Sequence, residues 1–259
     1  MPLAPKPAFR RIAVDVQAPI ARITLSNPPL NVIDLEMMGE MVAALEQIEV
    51  LPQVSATVFA GSESAFSAGV DVPAHAPETA RQMLTAFHGV IRAVVSSRKV
   101  TIASVRRHCL GGGAELALVC DVVYASPDAV FGFPEIKLAC FPPVACTALA
   151  PVVGQKLAAE MILTGRALTA TEALNAGLAN ALADDPETLV KECVSRISQL
   201  SPAALAMAKK AFYAWDSMHF DKGLARSEQT YLDELVKTED SREGIAAFVE
   251  KRRPRWTGR

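Results

Sequence analysis

Leu110-Gly111-Gly112-Gly113-Ala114-Glu115-Leu116-Ala117 stands between two apolar runs, Val100-Thr101-Ile102-Ala103-Ser104 and Val122-Val123-Tyr124-Ala125. The flanking runs read as strands, and Ala114 to Cys120 reads as a helix between them. A strand, helix, strand rhythm predicts βαβ units and a largely parallel sheet. The rhythm extends toward the N-terminus. Ile12 to Val16 and Ile20 to Leu25 read as a strand pair turning at Gln17-Ala18-Pro19 and closed by Asn27-Pro28-Pro29. Asp34 then caps a helix in which Leu35, Met38, Val42, Leu45 and Ile48 recur at three- and four-residue steps, and Pro52 stops it. Ala56 to Phe59 is the next strand. A Ser/Gly-rich loop over 61–71 leads to a helix that opens at Pro77-Glu78 and presents Met83, Phe87, Val90, Ile91 and Val94 on one face.

From about residue 143 the strand signal vanishes and helices follow one another. Thr169 to Glu172 forms a capping box and the helix it opens ends at Gly177, Ser201-Pro202 supplies an N-cap with proline at the first helical position, and Asp240 to Glu243 reads as another capped start. The last third is therefore expected to be a helical layer or subdomain. No internal repeat or low-complexity linker divides the chain.

Composition narrows the function classes. A chain of 259 residues can bury a sizeable core without disulfide or metal staples, and its 51% hydrophobic content, drawn mostly from Ala, Val and Leu, suits a helix-rich α/β enzyme. A net charge of −2 without long single-sign blocks leaves no footprint for nucleic acid or an anionic membrane. The basic tail Lys251-Arg252-Arg253-Pro254-Arg255 is the exception; it reads either as a cationic helix end or as a phosphate contact. Cys109, Cys120, Cys140, Cys146 and Cys193 are widely spaced, lack a C-x-x-C pair and read as reduced core residues. With no apolar leader at the N-terminus and no run long enough to span a bilayer, a cytoplasmic setting is expected.

Three glycines entering a helix leave backbone N–H groups uncovered at the positive end of the helix dipole, so an anion is expected near Gly112. Close packing of a strand-to-helix turn explains the same glycines. The segment is neither a dinucleotide fingerprint nor a P-loop. In Ala65-Phe66-Ser67-Ala68-Gly69-Val70-Asp71 the Val70 N–H is a second candidate donor; the alternatives are a tight structural turn and a degraded nucleophile elbow centred on Ser67. Glu115 falls where a helix-capping carboxylate is expected, yet its apolar flanks imply burial, and a buried carboxylate is costly without a function or partner. Glu135, 20 residues on, follows Pro134 at a helix start and is placed to converge with Glu115 as a general acid/base pair. His75, His88, His108 and His219 share no ligand spacing, so no metal site is expected and each reads as an ordinary surface or packing histidine.

Together with Asn27-Pro28-Pro29-Leu30-Asn31, Phe131-Gly132-Phe133-Pro134-Glu135-Ile136 and Ala247-Phe248-Val249-Glu250-Lys251-Arg252, these motifs make the chain resemble the crotonase (enoyl-CoA hydratase/isomerase) superfamily over nearly its whole length. The resemblance implies an α/β fold, a spiral of ββα units over 1–200, with a helical C-terminal trimerisation region over 201–259, and homotrimers or homohexamers. It implies an acyl-CoA thioester substrate and no cofactor, CoA being part of the substrate. Val70 and Gly112 match the family's oxyanion-hole donors; Ala68, Val70, Asp71 and Val72 match its CoA-holding loop; Phe248 and Lys251 match C-terminal positions that often touch CoA, sometimes in a neighbouring subunit. Members that hydrate a 2-enoyl-CoA carry two glutamates, here Glu115 and Glu135, whereas isomerases typically keep one.

The chain departs from the family where a glycine-rich stretch is usual and Cys140-Phe141-Pro142-Pro143-Val144-Ala145-Cys146 stands instead, and where Arg106-Arg107-His108 replaces a more usual Asn-Gly-Tyr. An apolar wall of this kind resembles the subgroup acting on alicyclic dienoyl-CoAs. The reading is thus a hydratase, with a Δ3-Δ2 isomerase, a CoA-thioester hydrolase or decarboxylase, and a catalytically silent acyl-CoA-binding member as alternatives.

Overall fold

The computed structural model describes residues 9–259, apart from the side chains of 214–219; the prolines at 2, 5 and 7 and the His219 ring fall outside the described residues. The chain opens with an antiparallel hairpin, β1 (Ile12–Gln17) and β2 (Ile20–Leu25), and α1 (Leu35–Glu49). Successive ββα turns follow: β3 (Ala56–Ala60), β4 (Ala65–Ser67) and α2 (Ala80–Ser96); then β5 (Val100–Val105), β6 (His108–Leu110) and α3 (Gly112–Leu118). A further turn is β7 (Val122–Ala125), β8 (Val130–Gly132) and α4 (Pro143–Val153). The remainder is α5 (Gln155–Thr164), β9 (Ala167–Thr169), α6 (Ala170–Asn175), β10 (Ala181–Leu182), α7 (Pro186–Ile197), α8 (Pro202–Asp233) and α9 (Glu239–Val249).

Each turn gives its first strand to one sheet and its second to another. The larger sheet runs β1-β2-β3-β5-β7-β10, parallel except for the hairpin, and the smaller runs β4-β6-β8-β9, parallel except at β9. This is the ββα spiral with a helical C-terminal region that the resemblance implies. Strands β4, β6, β8 and β9 have three residues each and β10 two, too short for a period to show, so the loop read over 61–71 holds a strand and the last third holds two.

Burial explains the strong elements. Every residue of β3 is buried because β2 and β5 flank it and both faces are covered, which is why its sequence does not alternate. Helices α1 and α2 cover one face, while Val190, Val194 and Ile197 of α7 pack on Ala56, Val58 and Ile102 on the other. The apolar stripe of α1 is rotated from its expected position: Met37, Met41 and Ala44 are buried with Met38, Leu45 and Ile48, while Leu35 is exposed. Helix α2 begins at Ala80 rather than at Pro77, because residues 72–75 form a separate 3-10 turn and the Thr79 hydroxyl donates back to Ala74 O at 3.1 Å.

Capping residues set the C-terminal helices. The Thr169/Glu172 box is present, and Ser201 caps α8. At α9 the cap is Thr238, whose side chain accepts from Ser241 N–H; Asp240 instead accepts from the Thr257 and Gly258 N–H groups, tying the tail back to the helix start. Arg252 likewise folds back onto Glu243 and Glu250, so its charge is engaged within the tail. Helix α8 packs on α4 and α2, and α9 packs on three 3-10 turns, Val72–His75, Pro134–Leu138 and Leu235–Lys237.

Candidate active site

Because β4, β6 and β8 are parallel, their C-terminal ends share one edge, and the segments leaving them meet there. β4 runs into Ala68–Asp71, β6 into the glycine run, and β8 into the 3-10 turn that carries Glu135. Asn31 fastens the first of these. It is buried at φ 52°, its Nδ2 donates to the carbonyls of Ala65 at 2.8 Å and Phe66 at 3.2 Å, and its Oδ1 accepts from Asn27 N–H. Ile33 bridges Val70 in parallel, donating to Gly69 O and accepting from Asp71 N–H. A residue bridged in this way turns its own N–H away from the bridging segment.

The Val70 N–H therefore faces away from Ile33, and Gly112 stands close by: a β-carbon on Gly112 would lie 2.6 Å from Val70 Cγ2 and 3.0 Å from Phe87 Cζ. Gly112 is the first residue of α3, so its N–H has no acceptor within the helix. Gly111 has a different constraint. It adopts φ 52°, and a β-carbon there would lie 2.8 Å from Glu135 Oε1, so a side chain at this position would push the carboxyl out.

Glu115 is 3% exposed, and its Oε1 accepts from the N–H groups of Val144 at 2.8 Å and Ala145 at 3.0 Å. These donors belong to the first turn of α4, which Pro143 opens, so a helix N-terminus rather than a cationic side chain is the partner of this carboxylate. Burial pushes its pKa up to about 7, against the lowering effect of the two backbone bonds. Glu135 is buried too, and its Oε2 has no hydrogen-bond partner among the described residues. Burial, then the neighbouring Glu115 charge, pushes its pKa up to about 8. The pair thus titrates together, with the ionised form favoured on Glu115 and the protonated form on Glu135.

The cleft between these segments is lined by Ala68, Val70, Val72, Gly112, Glu115 and Glu135, together with Phe141, Pro142 and Pro143. Asp71, Phe248 and Lys251 stand outside it; the last two are exposed at the end of α9. The stretch 140–146 is thus both cleft wall and, through Val144 and Ala145, the anchor of Glu115. The proline pair opening α4 was a visible signal for that anchor. Ser67 is fully buried, its Oγ donating to Asn31 O at 2.7 Å and accepting from Gly69 N–H at 3.1 Å, with no histidine among the described residues bonded to it. That arrangement serves the turn, not a nucleophile.

His75, His88 and Tyr231 also line the cleft, and the sequence reading assigned none of them to it. His88 is 0% exposed and is hydrogen bonded to Glu228 of α8. Tyr231 reaches the cleft from α8 with no sequence signal, since that long helix has no clear apolar stripe. Cys109, Cys120 and Cys140 are buried thiols, Cys193 is half-buried, and Cys146 is exposed on the first turn and a half of α4.

Comparison with known proteins agrees with the fold. The chain is 34% identical to cyclohexa-1,5-dienecarbonyl-CoA hydratase of Thauera aromatica over 93% of each sequence, and 35% identical to 2,3-dehydroadipyl-CoA hydratase of Escherichia coli over 96% of this chain and 99% of the relative. Among solved structures, an enoyl-CoA hydratase from Mycobacterium avium subsp. paratuberculosis superposes with a TM-score of 0.86 at 27% identity, covering 96% of this chain and 99% of that one. An enoyl-CoA hydratase/isomerase from Xanthobacter autotrophicus superposes with a TM-score of 0.85 at 29% identity, covering 94% and 97%. The sequence model described as enoyl-CoA hydratase/isomerase matches residues 15–259, and the chain belongs to that family.

Proposed function

We propose that the protein adds water across the 2,3-double bond of an enoyl-CoA thioester. The observation that carries this reading is the asymmetric carboxyl pair: Glu115 held on two backbone N–H groups and Glu135 with an unpartnered oxygen, both in one cleft beside Val70 and Gly112. The Val70 and Gly112 N–H groups bind the thioester oxygen, on which negative charge grows as water attacks, and each is worth a few kcal/mol in the transition state, about 3 as an order of magnitude. Glu115 takes a proton from water as its oxygen bonds to the β-carbon; the C2=C3 electrons pass toward the carbonyl, and Glu135 gives its proton to the α-carbon. One proton is taken up and one released, and exchange with solvent resets the pair. No cofactor enters, because the thioester already acidifies the α-position.

Ala68, Val70, Asp71 and Val72 hold the CoA portion on this reading, and Phe248 and Lys251 meet it from the end of α9, in the same or a neighbouring subunit. The exposed Met207 and Phe212 on α8 suit a trimer or a pair of trimers as the working assembly. No helix among the described residues is long and apolar enough to cross a membrane. The bulky wall of Phe141, Pro142 and Pro143, with the likeness to the Thauera aromatica hydratase, favours an alicyclic acyl group.

The test is conversion of crotonyl-CoA and cyclohexa-1,5-diene-1-carbonyl-CoA in water enriched in oxygen-18. Loss of the enoyl-thioester absorbance with one heavy oxygen in the acyl product is expected, with kcat/KM about tenfold higher for the ring substrate. Double-bond migration without label would make the protein an isomerase, release of free CoA thiol would make it a hydrolase, and binding without turnover would make it a silent member.

A further inference from the structure

One wall of the cleft has no part in the hydration step. His88, on α2, is wholly buried; its Nδ1 is hydrogen bonded to the Glu228 carboxylate, which Arg92 also approaches at 3.2 Å. A carboxylate only accepts, so Nδ1 carries the proton, and burial holds the ring's pKa below the ordinary histidine range. The ring is then neutral and Nε2 is an acceptor. That Nε2 is buried, has no hydrogen-bond partner among the described residues, and belongs to a residue that lines the cleft. Tyr231 stands three residues after Glu228, on the same face of α8; it lines the cleft too, with its hydroxyl beside the Cys140 thiol. A buried acceptor left unpartnered in this wall is costly unless a ligand group meets it.

The chemistry of that group follows from what surrounds it. Among the described residues no Lys or Arg lines the cleft, and Glu115 and Glu135 are already there, so a carboxylate on the acyl group is disfavoured. A ketone has no donor for Nε2. A hydroxyl can donate to His88 and accept from Tyr231. Its position follows from the fold: His88 and Tyr231 stand on α2 and α8, whereas Glu115 stands on α3 and Glu135 on the 134–138 turn, so the two pairs line different parts of the cleft.

We propose that His88, oriented by Glu228 and helped by Tyr231, accepts a hydrogen bond from a hydroxyl on the acyl group beyond the reacting carbons, so that the substrate class is an enoyl-CoA with a hydroxylated acyl moiety. The proposal rests on the acyl-CoA reading of the cleft. Its test is equilibrium binding of unreactive saturated pairs to the full-length protein: cyclohexanecarbonyl-CoA against its 3- and 4-hydroxy derivatives, and hexanoyl-CoA against 5- and 6-hydroxyhexanoyl-CoA. One hydroxylated isomer is expected to bind at least about tenfold more tightly than its parent. The ratio should fall to near one in His88→Phe. It should fall severalfold in Glu228→Gln, which keeps the side-chain shape but lets the imidazole put its proton on Nε2. Equal binding of all isomers and parents, or a preference that survives His88→Phe, would overturn the hydroxyl subsite and leave the acyl-CoA cleft intact. Failure of every acyl-CoA to bind would overturn both.

Discussion

Replacing Glu115 with Gln is expected to lower kcat for water addition by about a thousandfold while acyl-CoA affinity stays within about threefold of wild type. The carboxamide has the shape of the carboxylate, and its oxygen can still accept the Val144 and Ala145 N–H groups, so the α4 anchor survives. What is lost is the ability to take a proton from water. Glu135→Gln falls by a similar factor for the opposite reason, since an amide cannot deliver a proton to the α-carbon. On the proposed mechanism the two carboxyls act on one transition state, so the double variant should be little worse than either single one. Steady-state kinetics beside equilibrium binding of a saturated acyl-CoA provides the check. A Glu115→Gln enzyme that kept a tenth or more of the wild-type kcat would show that this carboxylate is not the base.

A second large effect is on stability, at Gly244. Helix α9 lies so close to the 3-10 turn at Pro134–Leu138 that a β-carbon on Gly244 would stand 2.2 Å from Leu138 O and 2.5 Å from its carbonyl carbon. The obstacle is backbone, which cannot swing aside as a flexible side chain can. Gly244→Ala should cost about 3 kcal/mol, at the upper end of ordinary overpacking, and lower Tm by about 6 to 12 °C in a chain of this size. The displaced turn carries Glu135, so activity should fall with stability. Gly39→Ala is the control: Gly39 lies within α1 with nothing within 4 Å of the added carbon, and the variant should match or slightly exceed wild-type stability. A Gly244→Ala protein that melts within about 1 °C of wild type would mean that α9 does not seat on the turn.

The sequence was legible where a signal repeats or is locally self-sufficient. Five-residue β3 reads as a strand without alternation, since both of its faces are covered, and the Thr169/Glu172 box is a contact of the chain with its own next turn. The smaller sheet was not legible. Its three-residue strands are strands only because a neighbour from another turn of the spiral pairs with them, as β6 does between β4 and β8. Site residues divide in the same way. Gly111, Gly112 and Glu115 stand in one segment whose burial and glycines are visible at once. Val144 and Ala145 act through backbone groups, so their own residue types leave no trace and only the proline pair that opens their helix hints at them. His88, Glu228 and Tyr231 meet only because α8 packs across α2, so no local pattern joins positions 140 residues apart.

The pH dependence of kcat/KM measures whether the two carboxyls hold one ionised and one protonated partner at working pH. The base must be ionised, so the rate falls as pH drops below the lower apparent pKa of the pair. The acid must be protonated, so it also falls as pH rises above the upper one. Both values are raised by burial, to about 7 and about 8, well above ordinary carboxyls. A narrow bell is expected between pH 5 and 10 with limbs near those values, and the alkaline limb should vanish from the residual activity of Glu135→Gln. A profile flat from about pH 6 to 9, or an alkaline limb unchanged in Glu135→Gln, would contradict it.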